Sequence, residues 1–334
     1  MLRFTVRRLL QAIPTLLVLS ILVFAWLRVL PGGPAGALLG DKATPESLAD
    51  MRRLMGLDEP IIVQYFKFLG RVFTGDFGNS LASGDAVITE IARRFPATIE
   101  LSICALVLAI AFGIPLGYLA ARYRGRLLDN AAVITTLVGV AVPVFFLGVL
   151  LKYIFAQKLG ILPPSGRQDV TIDATHVTGF FVLDGLLTGE LDAAWDAIKH
   201  LILPSIALAS IPFAVIVRIT RASVLDVQQE DFVRTAESKG LTTPVIRRRH
   251  VLRNALLPVS TTIGLQTGLL LAGAVLTEKV FNWQGLGSLL AEGIERRDFP
   301  RLQGLLLLAA AVYVVVNLLV DISYAIIDPR VRVR

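Results

Sequence analysis

One cysteine, Cys104, stands among 334 residues, so an internal disulfide is excluded. Cys104 sits inside an apolar run and reads as a small packing residue. Histidine is almost as scarce. His176, His200 and His250 lie too far apart for a paired ligand spacing such as H-E-x-x-H. No lysine follows a glycine, so the G-x-x-x-x-G-K-[ST] phosphate loop is missing and ATP has no site of that kind. A G-x-S-x-G nucleophile elbow is missing too. Neither catalysis by this chain alone nor a metal or cofactor held by it is expected.

What the chain has in abundance is apolar sequence. Hydrophobic residues make up 54% and the mean hydropathy is +0.68, and they come in runs rather than in amphipathic stripes. About 20 residues rising about 1.5 Å each cross a hydrocarbon core of roughly 30 Å. Six segments reach that length, at 9–27, 99–121, 131–155, 199–217, 259–281 and 303–326. Runs of this length in lipid must be helices, because every backbone group has to be satisfied internally. The expected fold class is an all-α polytopic membrane protein with six transmembrane helices.

A net charge of +7 invites a nucleic-acid reading, but the cations are in the wrong places for it. Arg3, Arg7 and Arg8 precede the first run, and Arg122, Arg124 and Arg126 follow the second. Arg247, Arg248, Arg249 and Arg253 lie between the fourth and fifth, and Arg330, Arg332 and Arg334 close the chain. The loop after the third run is acidic instead, with Asp169, Asp173, Asp184, Glu190, Asp192 and Asp196. This alternation is the positive-inside pattern. It places both termini in the cytoplasm, the lipid bilayer as the surroundings, and nucleic acid outside the list of partners.

Residues 1–30 read as an anchor helix that is retained, since the run from Leu9 to Leu27 is long for a signal core. Residues 31–95 read as an exported cap. Within it Glu46 to Leu57 has helical spacing, Ile61 to Phe73 is aromatic-rich and amphipathic, and GDFGNSL at 75–81 is a Gly-rich turn. Residues 96–334 form the core, with Pro96 at the start of the second span. The loop from 156 to 198 is expected to lie on the surface and to carry a short interfacial helix near Leu191 to Ile198.

Between the fourth and fifth runs lies a basic island, DFVRTAESKGLTTPVIRRRHVLRNALLP, at 231–258 within a loop of 221–258. Gly240 is placed to end a short helix. Thr243 and Pro244 suit the N-cap and first turn of a second one, which Pro258 is expected to stop. Two short helices at a sharp bend make a knob that can dock into another protein. Few polar residues interrupt the spans. Thr261, Thr262, Gln266 and Thr267 fall in the fifth, Asn317 and Asp321 in the sixth. Gln266, Asn317 and Asp321 are candidates for a translocation path or gate. The plainer alternative is that such groups join helices, with Asp321 paired to Arg218 or Arg221.

The island resembles the cytoplasmic EAA loop of binding-protein-dependent ABC importers, in the form found in oligopeptide and dipeptide permeases. The matching residues are Arg234-Thr235-Ala236, then Lys239-Gly240, nine residues, and His250-x-Leu252-Arg253-Asn254-Ala255. Arg234 replaces the usual Glu, and the proline comes late, at Pro258. GDFGNSL at 75–81, RRFPATIELS at 93–102, LPSIALA at 203–209, TEKVFNWQGLGSLL at 277–290, RDFPRLQG at 297–304 and NLLVDISYAIIDPRVR at 317–332 resemble the same branch, with Gln284 where proline is usual. The resemblance implies a six-helix type I importer permease of the bacterial inner membrane, of the B-type. It also implies a homologous second permease, two ABC ATPase subunits that hold the ATP and Mg, and an extracytoplasmic solute-binding protein. The ATPase-coupling residues it points to are Arg234, Thr235, Ala236, Lys239, Gly240, His250, Arg253 and Asn254, with Thr235, Ala236 and Lys239 as the docking surface. Peptide import by alternating access is the expected function. A nickel or other small-solute permease is the alternative within the family, and a self-sufficient channel or a scaffold is the alternative outside it.

Overall fold

The computed structural model describes residues 2–29, 33–40 and 43–327. In chain order the segment expected to form the anchor and cap comprises α1 (Leu2–Val29), α2 (Gly33–Leu39), α3 (Pro45–Leu54) and α4 (Ile61–Phe73). The core begins with α5 (Val87–Arg122), α6 (Leu127–Ala141) and α7 (Val144–Leu151), the last running on through a π-helical turn at Lys152–Lys158. Then come α8 (Phe181–Thr188), α9 (Leu191–Val227), α10 (Asp231–Ser238) and α11 (Thr243–Val245), followed by a π-helical turn at Ile246–Leu252. The chain ends with α12 (Arg253–Gly273), α13 (Val275–Phe281), α14 (Leu286–Glu295) and α15 (Phe299–Ile327). Among the described residues there is no β-strand, and the all-α expectation holds.

Among the described residues three helices are long and apolar enough to cross a membrane, in α5, α9 and α15, and up to five spans result if each of two bent pairs counts as one. The described apolar stretch of α1, Ile13–Trp26, is shorter. One bent pair is α6 with α7, which meet at 105°. The expected third span at 131–155 is thus broken in its middle. Val142 is extended (φ −81°, ψ 124°) ahead of Pro143, which both disfavours helix in its predecessor and lacks an N–H. The other bend, 59°, falls between α12 and α13.

Two further expectations are corrected. Pro96 does not open a helix but lies within α5, which starts at Val87. The short helix expected near Leu191 is the first part of the 37-residue α9.

The bundle is built on α5 against α9. Along α5 the buried face carries Ala105, Ala109, Gly113, Gly117 and Ala121, one every four residues, so two backbones can approach closely. A Cβ added at Gly117 would stand 2.6 Å from the Val217 carbonyl oxygen and 2.7 Å from the Thr220 Cβ. The main apolar cluster joins this face to Leu201, Leu208 and Ile216 of α9 and to Val259 and Leu270 of α12.

At the Val87 end of α5, buried polar groups fasten the connections. Arg301 of α15 donates to both carboxylate oxygens of Glu90 at 2.7 and 2.9 Å. It also donates to Ser80 Oγ at 3.0 Å, while the Ser80 hydroxyl donates to Asp298 at 2.6 Å. The Gly-rich turn at 75–81 is thereby pinned to the start of α15. Buried Trp283 donates its ring N–H to the Ala97 carbonyl at 2.8 Å, and buried Glu278 accepts from Thr98 Oγ1 at 2.7 Å and from the Ser288 N–H at 2.9 Å. Gln284 has φ +53°, a conformation closed to proline, so the chain makes a different turn here from the one a proline at this position would allow.

Candidate coupling surface

At the opposite end of α5, α10 and α11 fold into a helical hairpin. α10 ends as its sequence predicts. Gly240 is left-handed (φ +75°), its N–H donates to the Glu237 carbonyl at 2.9 Å, and the Leu241 N–H reaches back to the Ala236 carbonyl at 3.3 Å. These two bonds are the Schellman pattern, which satisfies carbonyls that the helix end would otherwise leave bare. Thr242, one residue earlier than expected, is the N-cap of α11, with extended backbone and no side-chain capping bond. Pro244 occupies the first turn, where its missing N–H does no harm.

Pro258 does not stop the second arm. It lies inside α12, which continues from α11 and the π-helical turn into the expected fifth span. A proline removes one intrahelical hydrogen bond, a loss that helices in membrane bundles tolerate. The hairpin's second arm and the span are therefore one continuous helical element.

The seat of the hairpin is apolar. Val233 and Ala236 of α10, Ile246 and Val251 of the π-helical turn, and Ala255 of α12 close over Ala121 of α5 and Val224 of α9. Ala236 is 5% exposed, so it belongs to this seat and not to the outer docking surface assigned to it. Its small side chain allows the close approach of α10 to its own bundle. Thr235 and Lys239 do face outward, as do Arg234, Gly240, Arg253 and Asn254, while His250 is half-buried. Three apolar side chains that were not singled out join them: Phe232 at 42% exposed and Leu241 and Val245 at 40% each. Helical phase does not single out Phe232, which stands four residues before Ala236 on the same side of α10; it is exposed because it lies in the first turn of that helix.

Charges on the hairpin are lightly engaged. Arg234 and Asp231 approach to 3.7 Å with both side chains mostly in solvent, a pair worth about 0–1 kcal/mol. The Asn254 amide donates to the His250 carbonyl at 2.6 Å, holding the start of α12. A stronger pair lies just inside. Arg221 of α9 grips Asp129 of α6 with two hydrogen bonds, 2.6 and 2.9 Å, and the Gly125 N–H donates to the same carboxylate at 2.9 Å. Arg221, offered as a partner for Asp321, is therefore committed to Asp129. The Asp321 side chain lies outside the described residues.

The path candidates are not drawn together into a site. Gln266 is 8% exposed within α12, and its amide makes no hydrogen bond among the described residues. Thr262 and Thr267 donate to carbonyls of their own helix. Asn317 is half-buried on α15 near Gly268, where α12 and α15 pack together. A groove of about 1380 Å³ runs instead between α5, α6, α7, α8 and α9, and neither Gln266 nor Asn317 lines it. Its walls are apolar, with Leu108, Phe112, Val138, Leu186 and Phe213 among them. Near one end the Glu100 carboxylate is occupied by Arg167 at 2.7 Å and by the Val182 N–H at 2.9 Å.

A bundle of long apolar helices with an apolar-seated helical hairpin at one end and short helices pinned at the other has the form of a multi-pass membrane protein. Comparison with known proteins gives the family. Residues 113–333 match the binding-protein-dependent transport system inner membrane component, and residues 1–102 match the N-terminal part of such components. The chain belongs to this family. It is 42% identical over 332 residues to a dipeptide transport system permease protein of Alkalihalophilus pseudofirmus, covering 99% of this chain and 100% of that one. It is 44% identical over 333 residues to a di/tripeptide transport system permease protein of Pseudomonas aeruginosa, at 99% of each chain. To a glutathione transport system permease protein of Salmonella paratyphi A it is 39% identical over 332 residues, again at 99% of each.

Proposed function

We propose that this chain is one permease half of an ATP-driven importer that carries di- and oligopeptides across the inner membrane by alternating access. The relatives named for dipeptides, di- and tripeptides and glutathione, aligned along nearly the whole chain, support the peptide class. The hairpin faces the cytoplasm in this reading, and both termini lie on the same side. Its partners are a homologous second permease, two ATPase subunits that bind ATP and Mg, and an extracytoplasmic solute-binding protein.

One observation carries the mechanism: the hairpin sits on the ends of α5 and α9 and is continuous with α12. ATP binding closes the two ATPases, which hold the outer face formed by Phe232, Thr235, Lys239 and Leu241. The hairpin is carried with them. Because its second arm is helical throughout and runs on into α12, a displacement at the knob is passed to a helix of the bundle. Gly240→Pro tests this. Proline cannot adopt φ +75° and removes the N–H that donates to Glu237, so the knob loses its shape while the apolar helices stay intact. Uptake of labelled di- to penta-peptides should fall at least about tenfold, with the subunit still in the membrane and ATP hydrolysis uncoupled from transport. A variant that takes up peptide normally would refute the coupling role.

A further inference from the structure

The cap encloses a second cavity, of about 1030 Å³, that the transport mechanism does not use. It lies between the end of α1, the α3–α4 turn, α4, the turn at 75–81 and the start of α15. Arg28 and Arg71 both line it. Arg28 is held in one place. It donates to Gln64 Oε1 at 3.1 and 2.8 Å and to the Phe24 carbonyl at 3.2 Å, and its guanidinium lies 3.4 Å from the centre of the Phe24 ring. Arg71 is close enough to repel it electrostatically. No described acidic side chain pairs with either arginine, whereas Lys67, in the same wall, is neutralised by Glu59 at 2.6 Å. Two like charges thus face one cavity with no counter-charge, and one of them is fixed by three hydrogen bonds.

The depth of this cavity in the membrane follows from its neighbours. Arg28 comes just after the apolar stretch Ile13–Trp26, and a tryptophan followed by arginine at the end of such a stretch marks the headgroup level. α4 has three faces. Tyr65, Phe68, Leu69 and Val72 pack on Phe24 and Leu307, while Gln64, Lys67 and Arg71 line the cavity. Ile62, Phe66 and Phe73 are left exposed on a third face. A helix with an uncovered apolar stripe and basic residues on its polar side lies along the interface, apolar side toward the acyl chains and cations among the headgroups.

We propose that this cavity binds the phosphate of an anionic phospholipid headgroup, with Arg28 and Arg71 supplying the positive charge. The site holds the cap at a fixed height on the bilayer and is independent of the cargo. Its occupant is a lipid and not an acidic protein, because the two arginines stand at headgroup depth beside an apolar stripe that water does not favour.

The test uses the purified full-length protein in bilayers of phosphatidylcholine with or without phosphatidylglycerol. Spin-labelled forms of the two lipids report the fraction held at the protein. The wild type should favour phosphatidylglycerol, by about fivefold for each arginine engaged. Arg71→Ala should lose most of that preference, and since this side chain is exposed and makes no described contact, the variant should fold. Arg28→Gln is the second variant and should have the same effect. Arg52→Ala removes an equal charge from a residue paired with Asp58 outside the cavity, and should keep the preference. Equal association of the two lipids with the wild type would overturn the proposal, and so would an Arg71→Ala result matching Arg52→Ala. Displacement of the lipid by millimolar glycerol 3-phosphate would reassign the site to a soluble phosphate ester. Loss of the preference on adding an acidic extracytoplasmic protein would reassign it to that protein.

Discussion

Truncating Phe232 to alanine separates the outer face of the hairpin from its seat. Phe232 is 42% exposed and does not belong to the apolar cluster that holds α10 to the bundle. An aromatic side chain presents about 150–250 Å². The exposed share, about 60–105 Å², at about 25 cal/mol per Å² corresponds to roughly 1.5–2.6 kcal/mol when a partner covers it fully. In affinity that is a loss of about 12- to 80-fold for the isolated contact. The assay is co-purification of the ATPase subunits with tagged permease across a dilution series, together with peptide uptake at fixed expression. Phe232→Ala should release the ATPases at lower dilution than the wild type while the permease remains in the membrane in normal amount. Ala236→Leu is the internal contrast. It forces three heavy atoms into a closed seat and should cost about 1–3 kcal/mol of hairpin stability, seen as faster proteolysis between 228 and 245 even without ATPases. If Phe232→Ala leaves both retention and uptake at wild-type values, the exposed apolar face is not the gripped surface and the reasoning fails.

Three further outcomes follow from the same geometry. Asp129→Ala leaves Arg221 without its bidentate partner; allowing for partial solvent access to the guanidinium, it should cost about 2–3 kcal/mol and lower the thermal midpoint in detergent, with Asp129→Asn less severe. Gly117→Val places a branched side chain where a single Cβ already meets the Val217 carbonyl at 2.6 Å, so α5 and α9 must separate and membrane yield should drop sharply, whereas Gly125→Ala, with open space around it but φ +77°, should cost only about 1–2 kcal/mol. Burial raises the Asp184 carboxyl, but hydrogen bonds from the Thr178 hydroxyl and from the N–H groups of Thr178 and Gly179 outweigh it and hold it below the usual carboxylate range. Its folded value is thus depressed. The stability it contributes is complete above the unfolded value of about 3.9 and is lost as pH falls through the folded one, so amide exchange across 174–188 should accelerate below about pH 4 in the wild type and show little added change in Asp184→Asn.

The features legible in the sequence were those that depend on neighbours along the chain. Runs of apolar residues gave helices, and Gly240 gave the end of α10, because a left-handed C′ residue is a local demand that glycine meets without strain. Pro244 opened a helix for a similarly local reason. Reading failed where a second element decided the outcome. Ala236 looked like an outer contact because it is small and lies between outward-facing residues, yet its direction is fixed by Ala121 and Val224, more than a hundred residues upstream in one case. Asp129 and Arg221 are 92 positions apart, and no local pattern marks their pairing. Proline misled in both directions. Pro143 breaks a run that composition treats as one span, while Pro258, expected to stop a helix, lies inside α12. Hydropathy counts residues and is blind to the 105° bend between α6 and α7.

The close crossing of α5 and α9 limits how the bundle can respond to the hairpin. With Gly117 nearly touching the Val217 backbone, these two helices have no room to slide by a side chain without opening a gap along the small-residue stripe. They move, if at all, as a pair. The hairpin sits on the ends of both and continues into α12, so a pull on the knob acts on the pair and on α12 together. What is left to yield is the set of places where the helical ladder is already broken: the joint between α6 and α7 at Pro143, the π-helical turn and Pro258 between the hairpin and α12, and the 59° bend between α12 and α13. The α13–α14 segment beyond that second bend is fastened to α5 through Glu278 with Thr98 and Trp283 with Ala97. Under the coupling proposed above, a tilt of α12 that reaches its far end is therefore taken up at the junction with α13, about two helical turns beyond Gln266.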